Sequence, residues 1–452
     1  MFVFAILLTW AMLASAAPVL AQAAGPGKEN RPHLLVITFD TTRADRLETY
    51  GYPNIETPSI RRLAAEGVQF SRAYAPAVQT LPSHVSMFTG LYPITTNVVS
   101  NGQKLDDQLT TLAEILRRHR YRTGAIVATA PLMDAFNLSQ GFETYNDEFE
   151  EWPITTAFKN IFRFFTFHKV TVRTTRSAHR VAALGKQWLR RAAGKKKPFF
   201  LWIHFIDPHY PYDCHPDFEA PNRVEGDGEL NRYGEKEANY LNEIEFADHY
   251  LGKILDHLDQ LGLTGNTLTV FAADHGESLG EQDYRGHREE VYERIIHVPL
   301  IFRFPGRLPA GRRLETPAQL QDVTPTVLRL LGIAYRGDFF QGRDLFSLPE
   351  TEPRKLFAIA VKLFTKSPIR IAMIYGDYKY LSADDPQRNG LFNVRKDPDD
   401  QQNLLAGNPP QSTVNWTAEI RSWWRKYGRL HATDFEMTRE QRKKLESLGY
   451  VR

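Results

Sequence analysis

Alternation of short apolar runs with helical segments predicts an α/β protein whose mostly parallel sheet is sandwiched by helices. Three observations carry this expectation. The runs HLLVITFD (33–40), PFFLWIHFI (198–206) and TLTVFAA (267–273) are nearly uninterrupted and rich in β-branched and aromatic residues, as strands buried on both faces are. Segments of helical character separate them, near 58–66, 109–120 and 177–193. Each run also ends in polar residues: Asp40; Asp207-Pro208-His209; and Asp274-His275-Gly276-Glu277. In open α/β sheets, ligands sit at the carboxyl ends of strands.

Taken in order, residues 1–24 are almost wholly apolar and close on small residues around Val19-Leu20-Ala21, which reads as a secretory signal peptide. No basic residue opens the segment, and the stretch 2–20 is long enough to serve instead as an N-terminal membrane anchor. Either reading places the body outside the cytoplasm, periplasmic or extracellular. After the first strand, Thr57-Pro58 opens a helix that Gly67 ends. Thr80-Leu81-Pro82-Ser83-His84 leads into a short apolar helix, whose unpaired first-turn amides suit negative charge. Further strands are expected at 123–129 and 298–304. From about 355 the texture changes. IRIAMIYGDYKYL (369–381) and GLFNV (390–394) predict an antiparallel hairpin arrangement, and helices near 414–427 and 438–447 close the chain. The expected division is a leader or anchor (1–24), a catalytic domain (32–345) and a C-terminal subdomain (355–452).

Composition narrows the function classes. Of 452 residues, 42% are hydrophobic, enough for a sizeable core, while a net charge of +3 is too mild to imply a nucleic-acid partner. Cys214 is the only cysteine, which excludes an internal disulfide. Residues 156–180 hold many basic and aromatic residues and no acid; they read as a segment packed on the body, or as a flap or membrane-surface contact. AAGKKKP (192–198) reads as a solvated loop before a strand.

The strand ends point to metal chemistry. Asp40, Asp274 and His275 offer carboxylate oxygens and an imidazole, a donor set for one divalent cation of the calcium, zinc or manganese type. Asp207, before Pro208, reads as a turn residue in preference to a ligand of a second metal. His209 and His287 are imidazoles able to serve as general acid for a departing alkoxide.

The stretches FDTTRADRLETYGY (39–52), TPSIRRLAAEGVQFSRAYAPAVQTLPSHVSMFTGLYP (57–93), DPHYPY, ADHGESLGEQDYRGHREEVYERIIHVPLIFRFPG (273–306), DVTPTVLRLLGI (322–333), GDYKYL (376–381) and LFNVRKDPDDQQNL (391–404), with LESLGYV (445–451), resemble the sulfatase family of the alkaline phosphatase superfamily. The resemblance implies an alkaline phosphatase-like fold with a small C-terminal α+β subdomain. It implies that Asp40, Asp274 and His275 hold the metal, and that Thr80 occupies the nucleophile position, touches the ion and forms a covalent ester. It places Arg43 in the active site, and His209 and His287 where relatives contact the ester oxyanion or leaving group; His84 is expected to bind substrate beside them. His287 lies where many relatives carry lysine.

Departures from the family pattern are as informative. Typical members carry Cys or Ser in a Cys-x-Pro-Ser-Arg motif and convert it to formylglycine; Thr80 has a β-methyl group and cannot give that aldehyde, so no formylglycine is expected. His84 replaces the arginine of the motif, and Thr41 replaces a second aspartate found in many calcium sulfatases. The Asp274-His275 pair leans toward zinc or manganese. The expected activity is hydrolysis of a sulfate ester, carried on a small molecule or a glycan. The alternatives are phosphomonoesterase, phosphodiesterase or phosphonate monoester hydrolase activity, with a non-catalytic glycan or lipid binder less favoured.

Overall fold

The computed structural model describes residues 31–149, 175–212, 218, 237–350, 352–361, 370–383, 385–407 and 414–429. Residues 1–24, 156–174, Cys214 and 438–447 lie outside the described residues, so the expectations about them have no structural counterpart. Eight described strands form the central sheet: β1 (His33–Phe39), β2 (Val68–Phe70), β3 (Arg122–Ile126), β4 (Thr144–Asn146), β5 (Phe199–Phe205), β6 (Thr267–Ala273), β7 (Leu300–Arg303) and β8 (Arg312–Leu314). Their spatial order is β8-β2-β7-β6-β1-β5-β3-β4. Pairing is parallel except where β7 meets β6 and β2.

Both faces of the sheet are covered, which is why β1, β5 and β6 read as unbroken apolar runs. Leu35, Ile37, Leu201, Ile203 and Phe271 pack against α1 (Pro58–Ala65), α4 (Ala178–Ala193) and α5 (Glu237–Gln260). Leu34, Val36, Phe200, Trp202, Leu268 and Val270 pack on the other face, against α2 (Thr80–Thr89), α3 (Leu112–Arg118) and α6 (Val323–Leu330). All ten residues of α2 are buried. Leu81, Val85 and Phe88 anchor it there, each side chain contributing roughly 1.5–3 kcal/mol by its removal from water.

The strand expected at 298–304 is divided: His297–Val298 pairs with Ala73–Tyr74, and Leu300–Arg303 joins the central sheet. Pro299 sits at the break, where it has no amide to give a ladder. Lys195, Lys196 and Lys197 are exposed in the loop before β5. Among the described residues no helix is long and apolar enough to cross a membrane.

A second, antiparallel sheet contains β9 (Leu356–Ala360), β10 (Arg370–Tyr375), β11 (Tyr378–Ser382) and β12 (Gly390–Asn393) in that order, and α7 (Trp416–Tyr427) packs on it. The hairpin read from 369–381 is β10–β11, turned at Gly376, whose φ of 59° glycine adopts without strain. This sheet is tied to the segment before α2. Ile359 bridges Ala77 and donates its amide to the Pro76 carbonyl (3.0 Å), while Gln79 Nε2 donates to the Val361 carbonyl (3.0 Å). Lys379, wholly buried, reaches from β11 to Glu293 (3.1 Å) and Asp400 (2.5 Å).

Candidate active site

Strand register places the site. Thr38 on β1 lies level with His204 on β5 and Ala272 on β6. Extending the alternation of the α2 face by one step past β1 and β6 reaches Asp40 and Asp274. The first turn of α2 meets them there. Gln79 precedes it in extended conformation and accepts from the Asn101 amide (2.8 Å), and Asn101 Oδ1 in turn accepts from the Leu81 amide (2.8 Å). Ser83 donates its hydroxyl to the Asp274 carbonyl (2.5 Å), fastening the helix to the end of β6. Gly276 is required for the close approach that follows, because a Cβ there would stand 2.1 Å from the Arg294 carbonyl oxygen.

The result is a cluster of buried polar atoms with nothing to bind. Both carboxylate oxygens of Asp40, Oδ2 of Asp274, Nε2 of His275 and Oγ1 of Thr80 are shielded from solvent and complete no hydrogen bond. Buried polar groups are ordinarily satisfied, so such a concentration asks for a missing partner. His275 identifies it. Its Nδ1–H donates to the Gly276 carbonyl (3.0 Å), which leaves the Nε2 lone pair facing Asp274 Oδ2 (3.6 Å) and Asp40 Oδ1 (3.8 Å). Acceptors turned toward one another repel unless a cation lies between them, and Asp40, Asp274 and His275 offer ligand atoms all within 4.8 Å of one another. Burial pushes both carboxyls well above the ordinary carboxylate range; the Asp40 charge adds to the rise at Asp274, and the Thr41 amide and adjacent Thr80 hydroxyl oppose it at Asp40. These residues fit a divalent cation.

The backbone is strained at the same point. Thr41 has a φ of 46°, a left-handed conformation that a β-branched residue rarely takes. Three bonds hold it: its amide donates to Asp274 Oδ1 (3.2 Å), its hydroxyl to the Pro208 carbonyl (2.8 Å), and its carbonyl accepts from the Tyr240 hydroxyl (2.8 Å).

The sulfatase family model matches residues 32–333. This chain belongs to the sulfatase family. It is 26% identical over 415 residues to the ulvan-active sulfatase of Formosa agariphila, a span covering 85% of this chain and 79% of that protein. Its fold matches the phosphonate monoester hydrolase of Agrobacterium radiobacter (TM-score 0.66, 21% identity, covering 88% of this chain and 94% of that one). It also matches a protein solved with its substrate D-glucosamine-2-N,6-O-disulfate (TM-score 0.69, 17% identity, covering 88% and 98%). Sulfatases are metal-dependent hydrolases, and the Asp40–Asp274–His275 cluster offers candidate ligands for such an ion.

Two further residues of this sulfatase expected from sequence join the cluster. The rings of His275 and His287 are 4.3 Å apart, and those of His287 and His209 5.5 Å apart, so the three imidazoles form a row beside the candidate cation site. His287 Nδ1 donates to the Val78 carbonyl (2.8 Å) and His209 Nδ1 to the Tyr210 carbonyl (2.6 Å), which fixes how each ring is turned. Burial lowers both pKa values, that of His209 to about 4 and that of His287 well below the ordinary range, with His275 and His209 adding repulsion at His287.

His84 and Arg43 are placed differently. His84 lies under α2, wholly buried, with Nδ1 donating to the Thr80 carbonyl (2.8 Å) and Nε2 accepting from the Thr38 hydroxyl (3.0 Å). Both nitrogens are spent on bracing the Thr80 turn, which also removes His84 from the neighbouring His84–His204–Asp274 grouping as a metal ligand. Arg43 gives its fork to Asp45 (2.7 and 2.9 Å) and Glu281 (2.6 Å). Its donors therefore hold the loop around Glu281 and do not hydrogen-bond Thr80 Oγ1. Asp207 accepts from the Ala178 amide at the start of α4 (2.8 Å), in keeping with its reading as a turn residue.

One residue went unremarked in the sequence. His204, wholly buried, sits 3.5 Å from Asp40 Oδ2, and neither of its nitrogens completes a hydrogen bond; burial takes its pKa to about 3. Its signal is its place two residues after Trp202 on the α2 face of a strand beside β1.

Proposed function

We propose that this sulfatase hydrolyses a sulfate ester with Thr80 Oγ1 as nucleophile, through a covalent threonyl ester. The observation that carries the reading is the Thr80 hydroxyl itself, buried at the first turn of α2 against the Asp40 carboxylate and satisfied by no other group. Asp40, Asp274, His275 and Thr80 would hold one divalent cation, of the zinc or manganese type before calcium because an imidazole is among its ligands. When bound, that cation supplies Lewis-acid charge that lowers the pKa of a hydroxyl and polarises ester oxygens.

The chain's own groups then divide the work. Thr80 Oγ1 gives its proton to the Asp40 carboxylate beside it, which returns it when the threonyl ester is hydrolysed, and bonds to sulfur as the bond from sulfur to the leaving oxygen breaks. The leaving alkoxide takes a proton from Nε2 of His287 or His209, one of which is charged once the anionic ester is bound. The imidazole left neutral then takes a proton from water, whose oxygen attacks sulfur and releases Thr80. His84, Ser83 and Arg43 position the Thr80 turn and the loop after β6; they touch no reacting atom in this scheme.

A second reading is favoured by the absence of any route from threonine to an aldehyde. Direct hydrolysis of a threonyl ester suits phosphoryl chemistry equally, and the fold match includes a phosphonate monoester hydrolase. Turnover of aryl sulfate, aryl phosphate, aryl phosphonate monoester and bis-aryl phosphate by metal-replete protein separates the readings. A preference for sulfate, abolished in Thr80→Ala, with the mass of the Thr80 peptide unmodified before turnover, supports a sulfatase that works without formylglycine. A preference for a phosphorus ester moves the activity to the alternative. We place the enzyme outside the cytoplasm, with a glycan or small-molecule ester as substrate. Liposome sedimentation with and without 156–180 tests the membrane-surface contact, which equal binding by both would remove.

A further inference from the structure

A cavity of about 200 Å³ opens between the antiparallel sheet and the segment that follows His287. Glu290, Tyr292, Arg370, Leu381, Arg388 and Phe392 are among its lining residues. Its charge is unbalanced. Glu290 receives Arg388 Nη2 at 2.8 Å and Arg370 Nε at 3.3 and 3.4 Å, so two guanidinium groups share one carboxylate. Arg370 is 2% exposed, and its Nη1 is buried with no hydrogen-bond partner. A desolvated guanidinium N–H left unpaired is costly, and the long contacts of Nε to Glu290 do not compensate for it. Leu381 and Phe392 give the cavity an apolar wall beside these charges.

The cavity and the ester site share one segment of chain. Glu290 follows His287 by three residues, so their Cα atoms are at most about 11 Å apart even if the segment is fully extended. A group bound against Arg370 is thus within reach of a molecule whose ester lies at His287.

We propose that this cavity is a second anion subsite, in which Arg370 and Arg388 hold a carboxylate or sulfate carried by the sugar unit next to the esterified one. The apolar wall takes the C–H face of that sugar, and the spare guanidinium donors take its charge. Glu290 keeps the two arginines apart and in place when the subsite is empty. The assignment rests on the reading of the Thr80 cluster as an ester-cleaving site.

Three probes test it: a 6-O-sulfated hexosamine linked to a hexuronate, the same disaccharide with its carboxylate reduced to the alcohol, and nitrophenyl sulfate. Arg388→Gln, at a half-exposed position, and Arg370→Lys are compared with wild type. The expected result is a KM for the uronate disaccharide raised by about tenfold or more, with kcat little changed, and much smaller changes in KM for the other two probes. An equal rise on all three probes, or none on the uronate disaccharide, overturns the proposal. If wild type turns over none of them, the ester reading fails, and calorimetric binding of the uronate disaccharide still decides the subsite. Tighter binding to wild type than to Arg388→Gln upholds it; equal binding overturns it. Inorganic sulfate separates the sources of the anion. A sulfate-dependent rise in melting temperature that needs Arg388, without any Arg388 effect on the disaccharide, assigns the cavity to a free anion and overturns the link to substrate.

Discussion

The two ends of α2 treat buried carboxylates in opposite ways. At its N-terminal end Asp40 and Asp274 are wholly buried, and three of their four side-chain oxygens complete no hydrogen bond. Beside its C-terminal half, where Thr324 donates to the Met87 carbonyl and Gly342 to that of Gly90, Asp322 is just as deeply buried with both oxygens in use. Arg354 grips it at 2.5 and 2.6 Å, and the amides of Gln319 and Arg343 each donate at 2.8 Å. Desolvation is the same in both places, so what differs is whether the protein itself supplies the opposite charge. Where it does, the carboxylate fixes structure; where it withholds it, the carboxylates are kept for something that arrives from outside.

Experiments can break that contrast or sharpen it. The largest effect is expected for Thr80→Ala, which should lower kcat by at least about 10⁴-fold while far-UV circular dichroism stays unchanged. A residual rate within about tenfold of wild type would remove Thr80 from the chemistry. His287→Ala should lower kcat by about 10²–10⁴-fold on an alkyl ester and by much less on a nitrophenyl ester, whose leaving group needs no proton. Equal losses on both would deny the general-acid role.

At the other end of α2, Arg354→Met leaves Asp322 buried without its partner and should cost about 3–5 kcal/mol in urea unfolding, with activity per folded molecule retained. Glu281→Gln tests a paired carboxylate nearer the site. Arg43 and Arg294 outweigh burial and lower the Glu281 pKa from 4.5 to about 2. Because the folded value lies below the unfolded one, its stabilisation is present above pH 4.5 and is lost as pH falls through 2. The substitution should therefore cost about 2 kcal/mol at pH 7, with the difference from wild type shrinking toward zero in acid. The smallest effect has the opposite sign. Asp40→Asn should raise the stability of chelator-treated protein by about 1 kcal/mol, since it removes a buried charge facing Asp274, and should abolish the gain in melting temperature that zinc or manganese gives wild type. Destabilisation of the chelated variant would mean that Asp40 is satisfied by the protein after all.

Much of this was legible in the sequence because the determining residues are contiguous. Asp40, Asp274 and His275 each end an apolar run, so strand order alone carries them to one edge. The hairpin of β10 and β11 was visible as two short runs around Gly376. Other features depend on partners far along the chain. The spacing of Arg43 from Asp40 says nothing of Glu281, 238 residues later, which takes up its fork. His84 looks equivalent to Thr80 as a neighbour of the site, yet a helical offset of four turns its ring back to the Thr80 carbonyl. His204 is masked by the apolar residues around it and becomes visible only once the register with Thr38 is known.

The tie between Gln79 and Val361 has a consequence for the order of synthesis. The residue just before Thr80 is held by a carbonyl 282 residues later, and the Pro76 carbonyl by the Ile359 amide beside it. A growing chain that already carries Asp40, Thr80, Asp274 and His275 still lacks the strand that sets the Thr80 turn. Catalytic competence therefore comes late in translation, and a chain truncated before Phe357 should be inactive although it retains every residue of the cation cluster.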